Sequence, residues 1–253
     1  MQVTRTTYDA ALLRARRAAY APGEFVGQES FMTRGEILAV AHRAGIGPSV
    51  SVLDLCCGVA GPGRLVAAEL GCTYLGIDRD EGAVALARAR SAGLGCRFEV
   101  GEVPPVPSGP FDVVMLLETL LAFPDKDALL SAVAYALAPG GRLALTVEDG
   151  LPLSGTERDE MPGADTVWPI PLAELVSLLA RVGLGVSWMS ESTRSHRLVA
   201  DALIESFRWE RAAIAAEIGD DVVDDLLTSH RLWSTWLSTG RIRKLAVVAE
   251  RTD

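Results

Sequence analysis

Lysine and histidine are scarce in this sequence. Its 24 basic residues include two lysines, Lys126 and Lys244, and the chain has three histidines and a formal net charge of -9. Nucleic-acid binding depends on clustered positive charge, so this balance disfavours a nucleic-acid partner. The histidines and cysteines lack zinc spacing and the acids form no calcium-loop pattern, so we expect no metal site.

Cysteine is almost as sparse. The four cysteines, Cys56, Cys57, Cys72 and Cys96, form no C-x-x-C pair and lie in or beside apolar runs that predict buried strands. This pattern favours reduced thiols in a core over a disulfide framework or a redox motif.

Long apolar runs are absent too. No stretch approaches the length of a membrane span, and the first twenty residues contain four arginines but no continuous apolar core of the kind found in a secretory signal. We therefore expect a cytoplasmic protein, monomeric or homodimeric, without a membrane partner. At 253 residues and 49% hydrophobic composition, the chain is long enough for one domain with a full core.

The most informative feature that is present lies at residues 52–64. A short apolar run leads into a loop of small residues and then into a helical pattern, which predicts a buried strand, a ligand-binding loop and a helix N-terminus. Twenty residues after Gly58, a second apolar run ends in Asp78. An acid at that place can accept hydrogen bonds from both hydroxyls of a ribose.

The same loop lacks the features of two common nucleotide sites. It has no Lys followed by Ser or Thr, which a P-loop uses, and Gly58, Gly61 and Gly63 do not follow the G-x-G-x-x-G spacing of a nicotinamide dinucleotide site. The remaining interpretation is a site for an adenosine ligand without a phosphate chain.

These residues resemble the first motif of the class I S-adenosylmethionine-dependent methyltransferases, Asp-x-Gly-x-Gly-x-Gly, which continues as Gly-Pro in one small-molecule branch. In this chain the motif falls on Asp54, Cys56, Gly58, Ala60 and Gly61-Pro62. Cys56 and Ala60 stand where the family has glycine. Later landmarks follow in the family's order at residues 101–103, 111–118 and 137–146, so the resemblance covers roughly residues 25 to 250. The branch that the chain looks like is the glycine- and sarcosine-type one.

The alternation of short apolar runs with helix-period segments predicts an α/β fold with a Rossmann-like, doubly wound sheet of seven strands. By resemblance the sheet is mostly parallel, with an antiparallel last strand. We place strands near residues 50–55, 73–77, 96–100, 111–117, 141–148, 184–190 and 242–249, and helices near 60–70, 80–92, 126–138 and 171–182. We expect a single methyltransferase domain over residues 1–253, with an N-terminal helical cap (1–35), a cofactor-binding core (36–190), a helical lid insertion (191–240) and the last strand (241–253).

The resemblance implies S-adenosyl-L-methionine as cofactor and gives its contacts. Asp78 would hold the ribose, Glu102 would accept the exocyclic amine of adenine, and Tyr20 and Gln28 would donate to the methionine carboxylate. The full expected set is Tyr20, Gln28, Asp54, Gly58, Asp78, Arg79, Glu102, Val103 and Leu117.

Substrate contacts are expected from three regions. Glu118 follows the fourth predicted strand, where a carboxylate can orient or deprotonate an amine, or simply cap the next turn. His196 and Trp233 lie in the predicted lid and Trp168 in a long loop after the fifth strand, positions that suit either a pocket wall or ordinary packing. We expect catalysis by Glu118 and substrate binding by Trp168, His196 and Trp233.

The sequence therefore predicts an S-adenosylmethionine-dependent methyltransferase that acts on a small molecule. An amine nitrogen is the favoured acceptor, and the Arg-rich, Lys-poor composition suggests bacterial specialised metabolism. Two alternatives stay open: transfer to oxygen or carbon, and a methyltransferase fold that catalyses a non-methylating step such as cyclisation.

Overall fold

The computed structural model describes residues 10–252, so the first nine residues of the expected cap and Asp253 of the expected last segment lie outside the described residues. Within that range the chain forms ten α-helices and seven strands. The helices are α1 (Ala10–Ala18), α2 (Arg34–Arg43), α3 (Gly61–Leu70), α4 (Glu81–Arg90), α5 (Lys126–Ala136), α6 (Gly155–Glu160), α7 (Leu172–Arg181), α8 (Thr193–Trp209), α9 (Arg211–Ile218) and α10 (Asp220–Thr239). The strands are β1 (Ser51–Leu55), β2 (Thr73–Asp78), β3 (Cys96–Val100), β4 (Phe111–Leu116), β5 (Leu137–Asp149), β6 (Leu184–Glu191) and β7 (Arg243–Arg251).

The strands form one sheet in the order β3-β2-β1-β4-β5-β7-β6. The pairs among β1 to β5 are parallel, whereas β7 is antiparallel to both β5 and β6. The predicted fold class and the antiparallel last strand are confirmed. The strand order reverses between β1 and β4, and open α/β sheets bind ligands at the carboxyl ends of the strands beside such a point.

Alternate residues of the central strands bury opposite faces of the sheet. Leu53 and Leu55 of β1 belong to the core on one side, while Val52 belongs to the core on the other side. Because neither face meets solvent, the central strands consist of nearly continuous apolar residues, which is typical of parallel sheets covered by helices. This burial explains why apolar runs alone located the strands.

The largest error in the predicted boundaries is at β5. The helix predicted to reach residue 138 ends at Ala136, and the strand predicted from residue 141 begins at Leu137. Leu137 pairs with Phe111 of β4, and the register shifts before Val113 pairs with Arg142. The Pro-Gly-Gly segment is therefore an irregular part of the strand, with Gly140 at φ +69°, because pairing with β4 outweighs the local turn preference.

A helical unit, which we define as α1, α8, α9 and α10, has its own buried core. Ala11 and Ala15 of α1 pack with Leu203 and Phe207 of α8, together with apolar residues of α9 and α10. α8, α9 and α10 lie between β6 and β7 in the chain. No helix in residues 10–252 combines the length and apolar character needed to cross a membrane.

Candidate active site

A cavity of about 320 Å³ lies at the carboxyl ends of β1, β2 and β4. Three of its walls come from the loop after β1, from Asp78 at the end of β2, and from residues 117–119 after β4. The fourth wall is the loop before α2. The lining residues are Gly27, Gln28, Glu29, Ser30, Cys56, Cys57, Gly58, Val59, Gly61, Pro62, Asp78, Asp80, Ala83, Leu117, Glu118 and Thr119.

The loop between β1 and α3 has positive φ angles at both positions where the family motif has glycine. Cys56 and Ala60 have φ values of +60° and +58°, in the left-handed region that side chains disfavour. The replacement of two family glycines therefore leaves the path of the loop open. A Cβ atom built at Gly58 would meet no other atom of the described chain within 4 Å, so the space beside this backbone is available to a ligand.

The N-terminus of α3 lies against the loop before α2. A Cβ atom at Gly61 would come within 2.6 Å of the Gly27 carbonyl carbon, so the glycine allows the two backbones to meet. This contact forms one side of the cavity.

Two of the expected cofactor residues, Tyr20 and Gln28, hold the loop on this side of the cavity, and Gln28 also lines the cavity. The Gln28 amide, 2% exposed, donates to the Glu24 and Met32 carbonyls at 3.0 and 2.7 Å and accepts from the Val26 amide at 2.7 Å. The Tyr20 hydroxyl donates to the Ser30 carbonyl, and burial raises the pKa of this phenol. Both side chains hold the loop in the structure as it stands, and their donation to a cofactor carboxylate stays a prediction.

Asp54 lies beneath the loop. It is buried, and its Oδ2 accepts a hydrogen bond of 2.5 Å from the Tyr74 hydroxyl. Burial raises the pKa of the Asp54 carboxyl to about 7, against the opposing effect of the Tyr74 hydrogen bond. The structure thus places Asp54 under the cofactor loop rather than among the residues that line the cavity, and its role in cofactor binding remains a prediction.

The other expected cofactor residues divide into two groups. Gly58, Asp78 and Leu117 line the cavity. Arg79 and Glu102 are exposed and do not line the cavity, and Val103 packs on the main core, so the cavity does not extend to the expected adenine segment.

Glu118 is the most unusual residue of the site. Its backbone has φ +59°, and its amide donates to Thr146 Oγ1 at 2.5 Å. Its Oε2 accepts a hydrogen bond from Lys244 Nζ at 2.6 Å, and the same ammonium donates to Glu148 Oε1. Lys244 is 3% exposed and Glu148 is 1% exposed. A non-glycine residue held at positive φ by its surroundings is typical of functional positions.

The charge balance of this cluster keeps Glu118 ionised. Burial by itself raises the pKa of the Glu118 carboxyl, but the Lys244 ammonium and then His196 outweigh it, so the pKa lies below its ordinary value of 4.5. Burial lowers the pKa of Lys244, and the carboxylates of Glu118 and Glu148 more than reverse that effect. The three residues form a buried group with a net charge of about -1.

Three buried polar atoms near this cluster have no hydrogen-bond partner within residues 10–252. They are Glu118 Oε1, Thr119 Oγ1 and His196 Nδ1, and the first two belong to residues that line the cavity. Buried polar groups are almost always paired in native proteins, so these atoms indicate where a ligand or water binds.

Aromatic rings cover the other side of Lys244. The centres of the Phe31 and Trp233 rings lie 5.7 and 5.6 Å from its Nζ. Phe31 also makes edge contacts with His196 and His230 at 6.2 and 5.8 Å between ring centres. The structure therefore brings the predicted residues His196 and Trp233 to the Glu118 cluster.

Trp168 has a different environment. Its ring lies over Arg158, 3.9 Å from the guanidinium carbon, and its Nε1 donates to the Asp165 carbonyl at 2.8 Å. It does not line the cavity described above, and a substrate contact by Trp168 stays a prediction.

Sequence reasoning missed Lys244 and Glu148. The signal was present: Lys244 is one of two lysines and stands at the start of an otherwise apolar run, and Glu148 ends another. Charged residues are rarely buried without partners, so an acid and a lysine on two predicted buried strands predict each other.

Part of the chain matches a known protein family. Residues 52–141 match the family model described as "Methyltransferase domain". The chain is 34% identical over 110 residues to methyltransferase GfsG of Streptomyces halstedii, which covers 41% of this chain and 40% of the relative. It is 31% identical over 109 residues to phosphoethanolamine N-methyltransferase 1 of Arabidopsis thaliana, and this match covers 42% of this chain and 22% of the relative. The chain thus matches less than half the length of either relative.

Solved structures match over nearly the whole chain. The cyclopropane synthase MmaA2 from Mycobacterium tuberculosis has a TM-score of 0.81 at 14% identity, covering 98% of this chain and 96% of that one. The 4+2 cyclase SpnF has a TM-score of 0.73 at 20% sequence identity, and the match covers 95% of this chain and 92% of that one. A chain assigned as a sarcosine dimethylglycine methyltransferase from Galdieria sulphuraria has a TM-score of 0.77 at 16% sequence identity, and the match covers 87% of this chain and 84% of that one. At these identities the likeness shows the fold.

Residues 52–141 thus match a methyltransferase domain, and the fold over most of the chain is similar to that of solved methyltransferases. The site fits S-adenosylmethionine: a carboxylate stands at the end of β2, small residues open the loop, and the space beside Gly58 is clear. Asp78 and the backbone of the loop would hold the nucleoside, and the residues at 27–30 would cover it.

Proposed function

We propose that this protein transfers the methyl group of S-adenosylmethionine to a small-molecule nucleophile, with an amine nitrogen as the acceptor atom. The observation that carries the proposal is Glu118, an ionised carboxylate at the wall of the cofactor cavity. Its Oε1 is buried and has no hydrogen-bond partner among the described residues. An N–H group of a substrate would supply the missing donor.

The chemistry of Glu118 favours an amine over an alcohol. When bound, S-adenosylmethionine supplies an electrophilic methyl group. An alcohol needs a base to remove its proton, and a carboxylate with a lowered pKa is a weak base. A neutral amine attacks the methyl carbon without losing a proton first; as the N–C bond forms the C–S bond breaks, S-adenosylhomocysteine leaves, and the product carries the positive charge as an ammonium. In this proposal Glu118 orients the N–H of the amine and stabilises that charge.

The surrounding charges support the same acceptor. Glu36, Glu118 and Glu148 lie around Lys244 and His196, and the low pKa of Glu36, about 2, keeps that acid ionised. Aromatic rings of Phe31 and Trp233 face this group and favour cationic over anionic ligands. The similarity to an enzyme named for N-methylation of phosphoethanolamine agrees with this choice. A place in bacterial specialised metabolism is supported by the composition and by the match to a Streptomyces methyltransferase.

The test is formation of S-adenosylhomocysteine with pairs of acceptors that share a carbon skeleton, such as 2-phenylethylamine against 2-phenylethanol and butylamine against butanol. We expect turnover with amines and little with the alcohols. Glu118→Gln should lower the turnover number by about 10-fold to 100-fold, while S-adenosylhomocysteine binds with nearly unchanged affinity.

The control is Glu69→Gln, which alters a half-exposed acid paired with Arg34 and should behave as wild type. Turnover with alcohols alone would overturn the choice of nitrogen. Tight cofactor binding without turnover on any acceptor would favour the non-methylating alternative.

A further inference from the structure

Lys244 connects Glu118 to the rest of the protein. It stands near the start of β7, directly opposite Glu148 of β5 in the antiparallel ladder. Its Nζ lies 2.6 Å from Glu118 Oε2 and also contacts Glu148 Oε1. The two carboxylates come from different elements, so one ammonium ties the turn after β4 to the central sheet.

The contact also determines which oxygen of Glu118 is left without a hydrogen-bond partner among the described residues. Oε2 is occupied by Lys244, whereas Oε1, in the described part of the chain, has no partner. The Glu118 backbone is held at φ +59° by the hydrogen bond of its amide to Thr146 Oγ1. Main chain and side chain are thus constrained independently, and the carboxylate has little freedom to rotate.

We propose that Lys244 is the positioning residue of the acceptor site: it holds the Glu118 carboxylate ionised and oriented, with Oε1 left for the substrate. This inference deepens the proposed function and rests on it for the identity of the substrate. Removing the ammonium would leave two buried acids, Glu118 and Glu148, side by side. Two carboxylates in such a setting do not both stay ionised.

The groups that face this cluster come from β5, α2, α8 and the segment after α1. Glu148 belongs to β5 and His196 to α8, and both act on Glu118 or Lys244. Tyr20, which follows α1, feels the charges of Glu118 and of Glu36 on α2. Lys244 and His196 are the two groups whose charge lowers the pKa of Glu118. In Lys244→Met only the charge of His196 remains of this pair, and its Nε2 is already 3.2 Å from Glu36 Oε2.

The experiment is a pH titration of the Glu118 side-chain carboxyl carbon by NMR in protein labelled with ¹³C-glutamate, with Glu118→Gln for assignment. In the wild type the resonance should titrate below 4.5, the ordinary value. In Lys244→Met the midpoint should rise by about 1 to 3 pH units, since a nearby opposite charge lowers a carboxyl pKa by about that amount. Arg243→Met removes a cation from the adjacent, exposed position of β7 and should leave the midpoint unchanged.

Activity provides the second readout. At neutral pH, Lys244→Met should lower the turnover number by roughly 10-fold to 100-fold, with partial recovery as the pH rises and Glu118 ionises. The affinity for S-adenosylhomocysteine should stay within about twofold of wild type, because Asp78 and the β1 loop do not contact Lys244.

A folded Lys244→Met variant with a wild-type Glu118 midpoint would overturn the proposal. If that variant does not fold, the wild type still tests the proposal, because a Glu118 midpoint at or above pH 4.5, the ordinary value, excludes the positioning role of Lys244. Lys244→Arg provides a second test, because it keeps the positive charge and should keep the Glu118 midpoint low. If the wild type methylates no amine, the proposed function fails, whereas the titration still tests Lys244.

Discussion

The Asp78 carboxylate accepts a hydrogen bond from the amide of Gly58, with 2.7 Å between N and Oδ2. Its other oxygen accepts from the Asp80 amide at 2.9 Å. The two halves of the nucleotide-binding pattern are therefore joined directly at the cavity wall. A carboxylate oxygen accepts more than one hydrogen bond, so Asp78 can hold the loop and still receive ribose hydroxyls.

Asp78→Ala should weaken S-adenosylhomocysteine binding by more than tenfold, about 1.4 kcal/mol, because both the ribose acceptor and the tie to Gly58 are lost. Isothermal titration calorimetry measures this. The matched control is Asp112→Ala, which removes an acid bonded to Ser51 at the opposite end of the strands and should leave the affinity unchanged. Equal affinity for wild type and Asp78→Ala would remove Asp78 from the cofactor site.

The sequence predicted the sheet well because its central strands are buried on both faces. The run at residues 113–116 is apolar throughout because all four residues are buried, and the order of family motifs supplied the strand directions. The start of β5 was predicted incorrectly, since Pro-Gly-Gly is a strong local turn signal and pairing of Leu137 with Phe111 is a long-range effect.

The candidate site was predicted only in part. Residues next to strand ends, such as Gly58, Asp78 and Glu118, line the cavity because parallel strands share one carboxyl edge. Lys244 reaches the site from β7, 126 positions from Glu118 along the chain. Local sequence patterns do not predict a contact between residues so far apart in the chain. The hydrogen bond between Asp54 and Tyr74 was missed for the same reason, because the local sequence predicts only that each residue belongs to a strand.

Asp54 should make stability depend on pH. Its pKa is raised by burial to about 7 in the folded protein, from 3.8 for the exposed group, so the folded state binds the proton more tightly than the unfolded state. This contribution is fully present below about pH 4 and is lost progressively as the pH rises to about 7. Asp54→Asn cannot ionise, so its free energy of unfolding, relative to wild type, should increase between pH 4.5 and 8.

Urea titrations at the two pH values measure that difference. Asp112→Asn, the matched change at an exposed acid, should show no increase relative to wild type between them. A constant difference between Asp54→Asn and wild type would mean that Asp54 is ionised throughout and that its bond to Tyr74 is a charged one.

Glu36 joins the helical unit to the core. Its Oε1 accepts from Ser195 at 2.5 Å, and its Oε2 accepts from the Thr33 amide at 2.9 Å and lies 3.2 Å from His196 Nε2. Burial opposes ionisation, but the His196 hydrogen bond and charge lower the pKa of Glu36 to about 2, from 4.5 for the exposed group. Glu36→Ala should therefore lower the free energy of unfolding by about 2 kcal/mol or more at neutral pH.

The pH dependence of that loss has a defined sign. A carboxyl whose pKa is depressed contributes stability above about pH 4.5, and this contribution disappears as the pH falls towards 2. The difference between wild type and Glu36→Ala should shrink over that range, as followed by chemical denaturation. Glu69→Ala, a half-exposed acid of a surface pair, should change stability by no more than about 0.5 kcal/mol.

Trp233 tests whether the aromatic side of the cluster contacts the substrate. Its ring lies 5.6 Å from Lys244 Nζ and packs edge-on against Phe31 and Trp236, with 6.3 and 5.3 Å between ring centres. Trp233→Phe keeps an aromatic ring in the core but reduces the surface facing the cluster. We expect the KM for an amine acceptor to rise by about 3-fold to 10-fold, with little change in cofactor affinity.

Trp209→Phe is the control, because Trp209 lies at the end of α8 with 89% of its surface exposed. If both variants keep the wild-type KM and turnover number while Trp233→Phe alone lowers the melting temperature, Trp233 is a packing residue of the helical unit and the substrate binds elsewhere on the Glu118 cluster.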